Sequence, residues 1–355
     1  MMNRALSVAM IASSIVCFAA ADEAHAAPLV ESSIVLEGVA LRPGVDTDVH
    51  LRVFANAEKP CQSSRSAIVA IPGLMHTAAT FRPLAQAIFD NDLPGRPVCR
   101  IVALDLPGHG ESPAPRGALF GELTTDDYLA VILGSARRLR DNNHLRPTTL
   151  LGHGQGGMLV QMAQQVLLEQ GTSLREEMHV EHAIILNSSI PAGLPWAASE
   201  NGIPGVLVNL YGVSTPELGT FVDFSAEFWA NAFFKNVSGE LASGAPSAAE
   251  AVALEYITPE PLVAFEQICG VAPYTRPEVD PGIFAPGLGT DLDFIVNEDD
   301  PHMRPEEYAA LYEHLTGDET QARLIFTVGS DMVHSAHVAD PVGWLDQVQP
   351  YVSFP

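Results

Sequence analysis

Strand-like apolar runs alternate with helix-like periods along most of the chain, and this alternation predicts an α/β protein with a mostly parallel twisted sheet flanked by helices. Two further observations complete the fold class. The apolar runs at 67–71, 100–105, 148–151, 182–187, 292–296 and 323–328 are short, as strands are. Between Ser189 and about Thr290 the pattern changes to Pro-, Gly-, Ala- and aromatic-rich sequence with helical pieces and no clear strand, which predicts an inserted helical cap over the sheet.

The elements follow in order. Residues 1–26, MMNRALSVAMIASSIVCFAAADEAHA, have Arg4 ahead of an apolar run from about Ala5 to Ala20 and an A-x-A pattern at Ala24 and Ala26. This is a signal peptide, with cleavage expected after Ala26 and a secreted or periplasmic location. The run is short for a membrane span. Val16 directly before Cys17 argues against a lipoprotein site. Stretches 33–41 and 49–54 predict a leading hairpin across a turn at 43–48. Strand 67–71 leads to a helix at 80–91, and strand 100–105 to a helix from Thr125 to about Asp141 whose first turn is acidic at Asp126 and Asp127. Helices at 305–315 and 341–351 flank the last strand. The expected organisation is 1–26 signal peptide, 27–188 and 291–355 core, 189–290 cap. The aromatic stripe at 224–234 reads first as cap core and second as a ligand box.

The chain has 355 residues, 47% of them hydrophobic, enough for one large core. Its formal net charge of −25 argues against binding nucleic acid or anionic membranes. Export implies an oxidising compartment. Cys61, shortly before one strand, and Cys99, at the start of the next, could pair; otherwise Cys61, Cys99 and Cys269 are three buried thiols.

The segment TTLLGHGQGGMLVQ, Thr148 to Gln161, is a strand, a glycine turn and the start of a helix. Gly152, Gly154 and Gly157 match a dinucleotide-binding fingerprint, but several strands precede the loop and the next strand ends in Asn187 and Ser188, with no acid to hold a ribose. The same residues match a nucleophile elbow with Gly154 at the serine position. Its companions lie elsewhere: IPGLMHTAATF from Ile71, RIVALDLPGHGESPAP from Arg100, FIVNEDDPHMRP from Phe294 and VGSDMVHSAHVADP from Val328.

From about Ala67 to the C-terminus, outside the cap, the chain resembles the α/β-hydrolase superfamily, in particular its capped esterases, lactonases and C–C hydrolases. The resemblance places Gly154 on the elbow, with Gly152, Gly156 and Gly157 small for close packing. It makes Asp300, ahead of Pro301, the acid, with Asp299 second. It makes His334 the base, spaced from His337 and Pro341 as in the family, with His337 second. Val333 stands where such proteins usually have glycine. The backbone N–H groups of Leu74 and Gln155 would form the oxyanion hole, and no cofactor is implied.

A histidine steadied by a buried carboxylate can take a proton, and two convergent N–H groups can hold an oxyanion. Glycine cannot attack a carbonyl, so the nucleophile position is vacant. The options are a disarmed variant, direct hydrolysis by a water that His334 activates, a substitute nucleophile among Ser188, Ser189 and Ser335, or a non-catalytic protein that binds a small molecule. Serine-independent His–Asp chemistry of the dioxygenase or lyase kind is a further option. The expected partner is a small apolar ester-like substrate or ligand. No metal site is expected: the Asp299, Asp300, His302 cluster matches no ligand motif.

Overall fold

The computed structural model describes residues 29–58, 67–91, 98–141, 147–197, 203–302, 304–318 and 323–352. The expected signal peptide and Cys61 lie outside the described residues. Cys99 is disulfide-bonded.

Strands β1 (Leu29–Arg42) and β2 (Val45–Asn56) form the leading hairpin, turning at Pro43 and Gly44, a tighter turn than expected. β3 (Ala67–Ile71), β4 (Arg100–Leu104), β5 (Pro147–His153) and β6 (His182–Leu186) follow; three more, β7 (Gly212–Thr215), β8 (Gly219–Val222) and β9 (Glu260–Pro261), precede β10 (Asp291–Asn297) and β11 (Leu324–Thr327). Eight of them form one sheet in the order β1-β2-β4-β3-β5-β6-β10-β11, antiparallel at the β1 edge and parallel from β4 to β11. β3 is buried throughout and β4 and β6 nearly so, which is why they read as unbroken apolar runs.

Helices among the described residues are α1 (Arg82–Asp90), α2 (Thr125–Asp141), α3 (Gln155–Glu169), α4 (Leu174–Met178), α5 (Ile203–Tyr211), α6 (Ala226–Phe233), α7 (Ala248–Ala253), α8 (Leu262–Cys269), α9 (Pro305–Thr316), α10 (Ala336–Ala339) and α11 (Pro341–Val348). The cap of α2 is Thr124, the residue before its expected start: Thr124 Oγ1 accepts from Asp127 N–H at 3.2 Å while Asp127 Oδ2 accepts from Thr124 N–H at 2.9 Å.

The 189–290 segment is not purely helical, as its sequence suggested. β7, β8 and β9 make a small antiparallel sheet. Strands of four, four and two residues are too short to display alternation, and β9 contains Pro261. The aromatic stripe divides. Trp229 and Phe234 are fully buried, whereas Phe224, Phe228 and Phe233 line a cavity. The stripe is thus part core and part cavity wall.

β3 and β5 are neighbours although β4 comes between them in sequence, so chain direction across the sheet reverses there. Ligand crevices in open α/β sheets form at such a switch point, beyond the carboxyl ends of the strands. Leu74 follows β3 and Gly154 follows β5.

Candidate active site

The β5–α3 turn is built from glycine by necessity at three positions. A Cβ on Gly152 would lie 2.4 Å from Gly156 O, one on Gly156 2.3 Å from Ile71 O, and one on Gly157 2.8 Å from the Ser188 side chain. Gly154 is different. Its Cβ would meet no backbone closer than Gly73 Cα at 3.6 Å, and its nearest neighbour would be His334 Nε2 at 3.3 Å. Gly154 itself is held at φ 53°, ψ −116°, a conformation costly for other residues. Its N–H donates to Leu186 O at 2.9 Å and its carbonyl accepts from Ser189 N–H at 3.0 Å, so the turn is clamped from both sides.

His334 Nδ1 donates to Asp300 Oδ2 at 2.8 Å, across 34 residues of chain. Asp300 is buried at the turn after β10; its Oδ1 accepts from His302 N–H at 2.8 Å and its Oδ2 also from Tyr308 O–H at 3.0 Å. Burial pushes the Asp300 carboxyl up, but the charge and hydrogen bond of His334, with His302, outweigh it and hold the group below its ordinary value. Asp299 does not take this place. His337 is buried against Phe81 and His153, with ring centroids 5.5 and 4.5 Å away. The ring on Asp300 is thus that of His334.

Residues that the sequence did not single out fix the His334 loop. Asn187 Nδ2 and His153 Nε2 both donate to His334 O at 3.0 Å, and Asn297 Nδ2 donates to Val333 O at 2.7 Å. Asn187 Oδ1 accepts from Asn297 N–H at 2.9 Å, and Thr327 Oγ1 donates to Asn297 Oδ1 at 2.7 Å. Four strand ends, β5, β6, β10 and β11, are tied to one histidine loop. The only signal for this was polar residues closing apolar strands. Val333, in place of the family's glycine, is buried and joins this network through its carbonyl.

Of the serines considered as substitutes, Ser188 and Ser335 have their hydroxyls engaged elsewhere. Ser188 Oγ accepts from Gln161 Nε2 at 2.7 Å and donates to Ser189 O at 2.8 Å. Ser335 Oγ lies 3.3 Å from His76 Nε2, fully buried. Ser189 lines the cavity.

That cavity, about 520 Å³, opens over Gly154 and His334 and is also lined by Leu74 and Gln155. Its walls are mostly apolar, from Leu207, Phe224, Phe228, Phe233 and Phe265. Burial lowers the His302 pKa and takes that of His76, behind Phe233, to about 3, so both imidazoles are neutral near pH 7. The sequence matches the profile of the alpha/beta hydrolase family over residues 68–347. The chain belongs to this family. Among solved structures, this alpha/beta hydrolase is similar to a thermophilic esterase from Thermogutta terrifontis (14% identity, 90% of this chain and 96% of that one, TM-score 0.56). It is likewise similar to the esterase RhEst1 from a Rhodococcus species (17%, 90% and 98%, 0.55) and to an N-acyl homoserine lactonase (13%, 92% and 99%, 0.52). No curated protein matches the sequence. Family and fold support a hydrolase-type enzyme with a small-molecule substrate.

Beside the cavity, the 189–290 segment reaches into the core through Glu260, which is fully buried. Its Oε2 accepts from Met75 N–H at 3.0 Å and His109 Nε2 at 3.1 Å, and its Oε1 from Tyr128 O–H at 3.1 Å. Met75 is the residue after Leu74 and has a left-handed φ of 59°. The Asp105–Ser112 turn is structural: Asp105 accepts from Ala78 N–H at 2.7 Å and Glu111 N–H at 3.1 Å, and Ser112 Oγ donates back to Asp105 O at 2.7 Å. Among the described residues no group of three His, Cys, Asp or Glu is arranged to hold a metal ion, and no helix is long and apolar enough to cross a membrane.

Proposed function

We propose that this alpha/beta hydrolase, exported by its signal peptide and covered by the 189–290 segment as a cap, hydrolyses a small ester or lactone with an apolar acyl part. His334 is the base, Asp300 its partner, and the N–H groups of Leu74 and Gln155 the oxyanion donors. One observation carries the reading: His334 Nε2 faces the side-chain position of Gly154 at 3.3 Å while Nδ1 is committed to Asp300. With its proton on Nδ1, the imidazole has a free lone pair on Nε2.

The reaction needs no covalent acyl-enzyme. A water bound beside Gly154 gives its proton to His334 Nε2 as its oxygen bonds to the substrate carbonyl carbon. The oxyanion forms against the two N–H groups. Collapse restores the carbonyl, breaks the bond to the alkoxide, and returns the proton from Nε2 to the leaving oxygen. Oxyanion hole and binding leave roughly 10³–10⁴-fold catalysis over water when a serine triad is dismantled, which sets the scale for turnover.

Glycine at 154 also favours a second reading, a pocket that binds without turnover, because packing demands glycine at its three neighbours and not there. Wild type, His334→Ala and Gly154→Ser assayed on short-chain aryl esters and lactones separate the two. Slow wild-type hydrolysis lost in His334→Ala supports the water route. Gly154→Ser is expected to gain esterase activity by orders of magnitude, at a cost of about 1–3 kcal/mol for a serine in this backbone conformation. A folded Gly154→Ser protein that is inert on every substrate would overturn the assignment of the dyad.

A further inference from the structure

The sequence carries 43 Asp and Glu residues, yet among the described residues not one lines the cavity over Gly154. Lys235 does line it. It is one of two lysines in the sequence, the other being Lys59. The backbone on each side of Lys235 is fixed. Ala242 N–H donates to Phe234 O at 2.8 Å, Asn236 N–H donates to Glu240 O at 2.8 Å, and Asn236 Oδ1 accepts from Ser238 and Glu240 N–H at 3.0 Å. The ammonium therefore swings only on its own stem. No ion pair joins it to a carboxylate among the described residues, although described arginines such as Arg116, Arg140 and Arg323 each have one. Burial lowers the pKa of His302, on the same cavity, and Lys235 is the one lysine or arginine among the described lining residues.

A half-buried lysine in a mostly apolar lining, with no carboxylate partner among the described residues, offers an unpaired cation to a ligand. The long-range field of a chain at −25 also repels anions, so any anionic ligand needs a local cation to hold it. We infer that Lys235 is the recognition point for a carboxylate on the ligand, and that the cavity takes a monoanionic ester or lactone: a scissile carbonyl at the Gly154–His334 end, an apolar stem along the phenylalanines, and a carboxylate at Lys235. This rests on the hydrolytic reading for the carbonyl end alone.

Non-hydrolysable ketones test it without relying on turnover. The probe is 7-oxooctanoate and its neutral match is octane-2,7-dione, titrated calorimetrically at pH 7.5 and low salt into the full-length protein as wild type, Lys235→Met and Lys235→Arg. Wild type and Lys235→Arg are expected to bind the oxo acid at least about fivefold more tightly than the dione. In Lys235→Met the oxo acid should fall to the level of the dione. Added salt should narrow the wild-type preference. Equal affinities in wild type, a preference that survives in Lys235→Met, or no binding of either ketone each overturns the proposal. Hydrolysis of neutral aryl esters by Gly154→Ser without an oxo-acid preference removes the Lys235 site and leaves the hydrolytic reading. The preference together with an inert Gly154→Ser does the reverse.

Discussion

Asp300 has no contact with solvent worth the name, and a carboxyl so placed should resist ionising. It is ionised because three donors converge on it: His334 Nδ1, His302 N–H and Tyr308 O–H. Its pKa lies below the ordinary 3.8, so its contribution to stability is complete above that value and is lost as pH falls through the folded-state value. Asp300→Asn should therefore melt well below wild type at pH 7, with the gap closing toward pH 3. A gap of constant size in thermal melts at the two pH values would contradict this. In a Gly154→Ser background the same change should lower kcat by about 10⁴, because the amide favours the wrong imidazole tautomer. The contact of His334 with Asp300 was legible in the sequence because acid, histidine and proline stand at fixed spacings within short loops. Asn187 and Asn297 were not, since each acts on the backbone of a loop far along the chain, and a single asparagine after a strand carries no mark of what it reaches.

Elements were legible in proportion to their length and burial. β3 and β4 lie within one residue of the expected strands, and α2, a 17-residue helix with an acidic first turn, spans the expected limits. β9, two residues long, was invisible, yet it delivers Glu260, the most consequential residue of the 189–290 segment for the core. His109 donates from Nδ1 to Pro107 O at 3.1 Å and from Nε2 to Glu260, so both nitrogens carry protons and the pair is ionic. Burial works against the imidazolium, but Glu260 outweighs it and raises the pKa above the ordinary 6.5. Stability from this pair is thus fully present below about pH 6.5 and is lost as pH rises through the folded-state value. Glu260→Gln should cost about 3–5 kcal/mol at pH 6, the usual loss when one partner of a buried pair is removed. The wild-type melting temperature should fall between pH 6 and pH 9, and the variant's should be flatter. A wild-type profile as flat as the variant's would show that His109 is neutral.

At the scale of the molecule, the change of composition at Ser189 suggests a separable unit, but the packing argues for one cooperative structure. Trp229, Phe234 and Phe265 of the inserted segment belong to the same buried apolar cluster as Leu51, Val69 and Val102 of the sheet. Polar ties close the seam on several sides: Arg52 to Glu255 at 2.6 Å, Ser243 N–H and Oγ to Asp331 at 2.6 Å each, Thr125 N–H to Gln267 at 2.9 Å, and Glu260 to Met75. Opening this seam would strand a buried carboxylate and expose an aromatic core, and nothing in the segment's three short strands could repay that alone. Calorimetry at pH 7 should therefore give one unfolding transition whose van't Hoff and calorimetric enthalpies agree. Two resolved transitions, with the first abolished by Glu260→Gln, would mean that the segment melts from an intact sheet. In that case the cavity walls, which it supplies through Phe224, Phe228 and Phe265, would be the least stable part of the site.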